Sequence, residues 1–170
     1  MEQLEYVNEH DEVIGVTSFQ ECFENQLTAR AARVFLFDDT GKLYIQRRAL
    51  SMTSAPGLWD QSAAGHLNVG ESYEHAAARE TEEELGIKGL TLHEIAYYYH
   101  EEPHPKHTVV KRFNKLFVAQ YDGQPITFDP REVIDGRWVS IDQLEEWMQK
   151  EPQDFADGFL YVYQKYKEAK

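Results

Sequence analysis

The strongest constraint on this chain is the run from Tyr73 to Leu85, thirteen residues without Gly or Pro, set between Ser72 and Gly86. A serine before the run can accept from the unpaired N–H groups of a helix start, and a glycine after it can adopt the left-handed backbone that closes one. The spacing therefore predicts a helix over 73–85. With about 3.6 residues per turn, Glu80, Glu83 and Glu84 fall within roughly 100° of arc. Ala77, Ala78, Thr81 and Leu85 take the neighbouring arc and are expected to pack on a sheet, which puts the acidic stripe at the edge of the core. Carboxylates that close repel one another, and a hard divalent cation such as Mg²⁺, which prefers oxygen ligands, relieves the repulsion. The ordinary reading of an acidic helix is a solvated face. Two features argue against it here: the loop Gly65–Glu71 holds two glycines, and Arg79 is placed to pair with Glu83 one turn on or with Glu71 from the loop.

The rest of the sequence reads as one α+β domain over residues 1–170, a curved mixed sheet between helices in α/β/α layers. Leu4–Val7 and Val13–Val16 flank a polar turn as an N-terminal hairpin within residues 1–17. Ser18 caps a short helix carrying Phe19, Cys22 and Phe23. Ala31–Phe37 and Leu43–Gln46 flank Asp38-Asp39-Thr40-Gly41 as a second hairpin, and one short strand runs from about Trp59 to Ala63. Leu90–Tyr99 and Thr108–Ala119 have strand character around a His100–His107 loop, and Trp138-Val139 is a short strand. C-terminal helices fill about 141–169.

Charge limits the partners. Lys+Arg number 17 and Asp+Glu 30, a formal charge of −13, which argues against a nucleic-acid polymer. A small anionic substrate is admissible only where a metal ion or a local arginine cluster reverses the field. The single cysteine, Cys22, forms no internal disulfide, the opening MEQLEYVNEHDE lacks a signal-peptide pattern, and no apolar run approaches the roughly 20 residues of a membrane span. The expected location is cytoplasmic, with no membrane partner. A homodimer is compatible with the sequence.

Residues 65–87 resemble the Nudix box: Gly65, Glu71, Arg79, Glu80, Thr81, Glu83, Glu84, Gly86 and Ile87 stand at its spacing, with Thr81 where an aliphatic residue is usual. The Thr81 methyl group can still pack inward. The opening hairpin, Gln46-Arg47-Arg48, Pro56-Gly57-Leu58-Trp59-Asp60 and Arg137-Trp138-Val139 resemble the Nudix subgroup related to isopentenyl-diphosphate isomerase, which contains both isomerases and hydrolases. Isomerases of this type have a catalytic cysteine directly before the box glycine, where this chain has Ala64. They also have an alternating glutamate pair downstream, where alignment on Phe117 places Val110 and Arg112.

The resemblance thus implies a Mg²⁺-dependent hydrolase, with Mn²⁺ as a substitute, cleaving a diphosphate linkage in a nucleoside diphosphate derivative or related small organic pyrophosphate. It assigns the metal to Glu80, Glu83, Glu84 and the carbonyl of Ala64, the catalytic base to Glu80 or Glu83, and orientation of the cluster to Arg79. Alternatives are an isomerase and a catalytically silent nucleotide-binding module, the latter usually marked by damage to the glutamates, which is absent here. Glu132 is a weaker candidate ligand or base. By strand alternation one of Arg47 and Arg48 faces the cleft and contacts phosphate, and His66, inside the box loop, is a candidate substrate contact. His100, His104 and His107 have poor zinc spacing and read instead as an exposed loop. Trp59, Trp138 and Tyr97–Tyr99 read as core, leaving base recognition unassigned.

Overall fold

The computed structural model describes residues 3–105 and 109–170. The N-terminal hairpin is present as β1 (Gln3–Val7) and β2 (Val13–Ser18), antiparallel from Gln3↔Ser18. Ser18 then caps α1 (Phe19–Glu24) with a reciprocal bond to Glu21, so a tight corner follows the hairpin directly.

β3 (Thr28–Phe37) is the central strand. It pairs in parallel with β8 (Val109–Gln120) along its whole length, from Thr28↔Lys111 to Phe37↔Gln120. Its other edge takes β6 (Ala63–His66) antiparallel, with Arg33 opposite Ala64. β7 (His93–Pro103) lies on the far side of β8. A second group of strands is built on β4 (Leu43–Arg48), which pairs with β5 (Trp59–Asp60) and β9 (Val133–Val139).

The expected second hairpin forms only at its base. β3 and β4 pair at Phe37↔Leu43 and then part. Between them lies Ser62, fully buried, whose hydroxyl accepts from Leu36 N–H at 2.8 Å and donates to the Tyr44 carbonyl at 2.6 Å. One side-chain oxygen thus satisfies a backbone group of each strand where a ladder would have run. The same residue explains why the single strand expected over 59–63 is two short ones, broken at Gln61-Ser62.

α2 (Tyr73–Leu85) matches the sequence expectation, with Ser72 accepting from His75 N–H and Gly86 at φ 72° closing the helix. Its buried face is Ala76, Ala77, Thr81 and Leu85, so Ala76 takes the place expected of Ala78, which is exposed. Thr81 is buried as its position required and returns its hydroxyl to the Ala77 carbonyl at 2.7 Å. This face packs on Val34, Leu36 and Phe117. The opposite face of the sheet, through Phe35 and Leu116, packs on Phe159, Val162 and Tyr163 of α4 (Asp157–Glu168), with α3 (Ile141–Lys150) beside it. Phe35 and Phe159 are fully buried, each contributing about 1.5–3 kcal/mol. The result is the α/β/α layering expected. Among the described residues no helix is long and apolar enough to cross a membrane.

The His100–His107 segment differs from expectation. β7 runs on through Pro103, carrying His100 stacked on Tyr161 at 3.6 Å, while His104 stacks on Phe23 at 5.9 Å. His107, and with it Thr108, lies outside the described residues. Trp138-Val139 is likewise the end of the seven-residue β9.

Candidate active site

Helix α2 presents its carboxylates to the N-terminal end of the box loop, and Arg79 ties the two together. Its guanidinium makes five hydrogen bonds: Nε and Nη2 to the two oxygens of Glu71, each at 2.9 Å, Nη1 to Glu80 at 2.5 Å and Glu83 at 3.0 Å, and Nη2 to the His66 carbonyl at 2.9 Å. That accounts for every N–H the group has. Both pairings expected from spacing, with Glu83 and with Glu71, are made together. Burial would push the Glu71 carboxyl up, but the Arg79 bonds and the Asn68 N–H hold it below its usual range.

The glutamates differ in setting. Glu84 accepts from Gln46 Nε2 at 2.6 Å and from Ala64 N–H at 3.3 Å, both on Oε2. Burial, with Glu80 and Asp60 adding repulsion, raises its carboxyl well above the ordinary value. Burial also raises Glu80, to about 7, against the pull of Arg79 and with the push of Glu83 and Glu132. Glu83 is more open, its side chain 57% exposed. Glu132, exposed at the foot of β9, is close enough to act on Glu80, so the structure brings this weaker candidate to the cluster.

The arrangement suits a hard cation in its chemistry. A Cβ at Gly65 would collide with the Glu80 carboxyl, so glycine is what lets the backbone of β6 approach that group. The donors are carboxylate and backbone oxygens, and Glu84 is a buried carboxyl without a cationic partner among the described residues, a state that a divalent ion would stabilise. Among the described residues no three His, Cys, Asp or Glu side chains have converged into a cage. The reason is visible: Glu80 and Glu83 are both turned onto Arg79, and Glu84 is turned onto Gln46.

The other sequence candidates are spread more widely. Arg48 bonds the Ser54 carbonyl at 2.9 Å and Asp60 at 3.2 Å, and Asp60 in turn acts on Glu84. Arg47 is exposed and held by the Gly57 carbonyl at 2.8 Å. His66 gives Arg79 its carbonyl, but its ring lies among Phe19, Phe23 and Arg112. Sequence reasoning missed Gln46, Asp60, Arg33 and Glu102, and took Arg112 only as a replaced glutamate. Gln46 had a usable signal, since alternation along β4 sets it on the same face as Arg48. The others depend on pairings distant in sequence.

Residues 27–159 match the family model for the NUDIX domain. The chain is 32% identical over 161 residues to an isopentenyl-diphosphate Delta-isomerase of Serratia proteamaculans, covering 95% of this chain and 89% of that one. It is 33% identical over 141 residues to an uncharacterized Nudix hydrolase of Pseudomonas aeruginosa, covering 81% and 78%. A crystal structure of a protein from Deinococcus radiodurans superposes with a TM-score of 0.76 at 28% identity, covering 97% of this chain and 99% of that one.

Proposed function

The chain belongs to the Nudix family, and from that premise we propose that it hydrolyses a diphosphate linkage in a nucleoside diphosphate derivative or related small organic pyrophosphate, using Mg²⁺ or Mn²⁺. The observation that carries this is the glutamate cluster of α2 joined to the box loop by Arg79. Glu80, Glu83, Glu84 and the Ala64 carbonyl would hold the metal, which when bound neutralises phosphate charge and lowers the pKa of water. Arg79 holds Glu80 and Glu83 at the loop, Gln46 fixes the orientation of Glu84, and Glu80 or Glu83 would serve as the base that takes a proton from water. Product release followed by chromatography over nucleoside diphosphates, triphosphates, sugar nucleotides and dinucleotide polyphosphates with Mg²⁺ tests the reading, because the last two classes split into two phosphorylated products without free phosphate. Absence of cleavage across the whole panel would end it.

Relatives named as isomerases make isomerisation the competing reading. Three observations favour hydrolysis. Ala64 offers no thiol, and burial holds the chain's one cysteine, Cys22, up at about 11, so it is a protonated packing group. Arg112, at one position of the expected glutamate pair, donates from Nε to His66 Nε2 at 2.8 Å. Isopentenyl diphosphate incubated with the protein and Mg²⁺ should yield no dimethylallyl diphosphate by product analysis; its appearance at a catalytic rate would reverse the preference.

Metal binding has a stability signature. At a hundredfold excess over Kd, a ligand of the folded state adds about 2.7 kcal/mol, and for a domain of this size that is roughly 5–11 °C in Tm. Glu84→Gln should diminish this shift and slightly raise the metal-free Tm, since it removes a buried repelling carboxyl. Thermal melts with and without Mg²⁺ decide the matter, and equal shifts in both proteins would show that this face does not hold the ion.

A further inference from the structure

The N-terminal hairpin inverts the usual pattern of a surface ribbon. Leu4 and Val7 of β1 are buried, but β2 leaves Val13, Ile14 and Val16 exposed, while the side chains of Glu5 and Asp11 are turned inward at 14% and 12% exposure. Carboxylates leave water only when they are paired. Here each has found its partners at the box loop and the start of α2.

Asp11 sits at the turn with φ 61°, a left-handed backbone held from within by Asn8, whose side-chain oxygen accepts from the N–H groups of His10 and Glu12. One oxygen of its carboxylate accepts from Arg30 Nε at 2.8 Å, and the other from the hydroxyls of Tyr73 at 2.8 Å and Tyr97 at 3.0 Å. Tyr73 is the first residue of α2, two positions after Glu71. Glu5 grips the loop itself, accepting from Gly70 N–H at 3.0 Å, with the bridge between Leu4 and Asn68 beside it. Arg30 joins the two acids, its Nη1 3.8 Å from Glu5, and its carbonyl accepts from Leu67 N–H at 3.1 Å. The segment from Leu67 to Tyr73 is thus fastened from outside at Leu67, Asn68, Gly70 and Tyr73.

We propose that Asp11 and Glu5 are positioning residues of the diphosphate site: through Tyr73 and Gly70 they hold the box loop where Glu71 can grip Arg79, which in turn sets Glu80 and Glu83. The inference rests on the box being that site. Glu71 meets Arg79 with both oxygens at 2.9 Å, so a loop displaced by about 1 Å loses the pair, and misplacement on that scale can cost on the order of a hundredfold in rate. Both residues precede residue 27, where the family match begins, and so lie outside the domain they serve.

Variants of the whole chain test this. Asp11→Gly keeps the turn, because glycine takes φ 61° without strain, and removes only the carboxylate. Glu5→Met removes the acceptor of Gly70 N–H, whereas Glu5→Gln returns an oxygen to its place. Tyr73→Phe and Tyr97→Phe form a matched pair, each deleting one hydroxyl from the same Asp11 oxygen, but only the first leads to α2. A thermal melt verifies folding of each.

The first readout is hydrogen exchange without metal at Asn68 and Glu71 N–H, whose acceptors, the Glu71 side chain and the Asn68 carbonyl, no substitution touches. Asp11→Gly, Glu5→Met and Tyr73→Phe should speed it about fivefold or more while amides of β8 keep their rates. The second is calorimetry with Mg²⁺ alone, which those three should bind about threefold or more weakly; at saturating Mg²⁺ their kcat should fall about tenfold with KM within about twofold, a split that lost stability does not produce. Glu5→Gln and Tyr97→Phe should match wild type in both readouts. The inference is overturned if loop exchange does not change, if it rises with Mg²⁺ affinity and kcat unchanged, if β8 exchange rises equally, or if Tyr97→Phe reproduces Tyr73→Phe. Exchange and Mg²⁺ binding need no turnover, so a wild-type protein that cleaves nothing on the panel removes the hydrolase reading while these two arms still decide the inference.

Discussion

Glu83→Gln is expected to lower turnover by two or more orders of magnitude while Tm stays within a degree or two. The large kinetic effect follows from its place in the cluster, where removing one negative oxygen removes a metal ligand or the base, and either loss falls on the transition state. The small effect on stability follows from exposure: its one ion pair, with Arg79 at 3.0 Å, is partly in solvent, and such pairs contribute about 0–1 kcal/mol. Glu82→Gln is the control, since Glu82 points outward from the same helix to Lys88 and should keep turnover within about threefold. Steady-state kinetics on the best substrate of the release panel, with a melt of each variant, give the comparison. Unchanged turnover in folded Glu83→Gln protein would remove the assignment of this helix.

Arg33→Met should destabilise the protein by about 3–5 kcal/mol, the range for breaking a buried ion pair from one side, which is roughly 6–20 °C in Tm. Arg33 is 6% exposed and bonds Asn114 at 2.9 Å, Gln61 at 3.1 Å and Glu102 at 2.9 Å, so its loss takes a donor from three partners and leaves Glu102 with Arg112 alone. A pH dependence accompanies it. Burial alone would push the Glu102 carboxyl up, but the Arg33 and Arg112 guanidiniums hold it down at about 2, against an ordinary 4.5. A depressed carboxylate stabilises the fold fully above its unfolded pKa and loses that contribution as pH falls through the folded one. Wild type should therefore lose this contribution between about pH 4.5 and 2, and in Arg33→Met, with one cation gone, the loss should begin at higher pH. Melts from pH 7 to 2.5 measure both effects; a Tm within 2 °C of wild type at neutral pH would show that the cluster does not tie the strands together.

The contrast between these two sites explains what the sequence could reveal. Helix α2 is a local object: caps, buried face and acidic stripe are all set by residues within four positions of one another, and the box loop joins it at Glu71, eight positions before Arg79. Thr81 could be assigned inward for the same reason. Arg33, Glu102 and Arg112 meet only because β7 folds back on β8 and β8 lies parallel to β3, so that Arg33 reaches Glu102 across 69 residues of chain with no periodic trace. Strand periodicity could say that β3 was buried, but not that one position on it would carry a guanidinium into the core. The missed extension of β7 has a similar origin. His100 and Glu102 look like loop residues in isolation, and they sit in a strand because Tyr161 and the two arginines receive them.

Ser62 gives the molecule a spacer. Its hydroxyl stands between β3, which carries Arg33, and β4, which carries Gln46, so one oxygen atom fixes the gauge between the strand of the basic cluster and the strand that holds Glu84. A ladder in its place would draw those strands to about 4.8 Å, closing the crease from which β5 and β6 diverge. Threonine would retain the two hydrogen bonds and thicken the shim by a methyl group, whereas alanine would remove the oxygen and leave a donor and an acceptor facing across a gap too wide for either. The spacing between the strand that carries Arg33 and the strand that carries Gln46 is thus set by a residue that touches neither side chain.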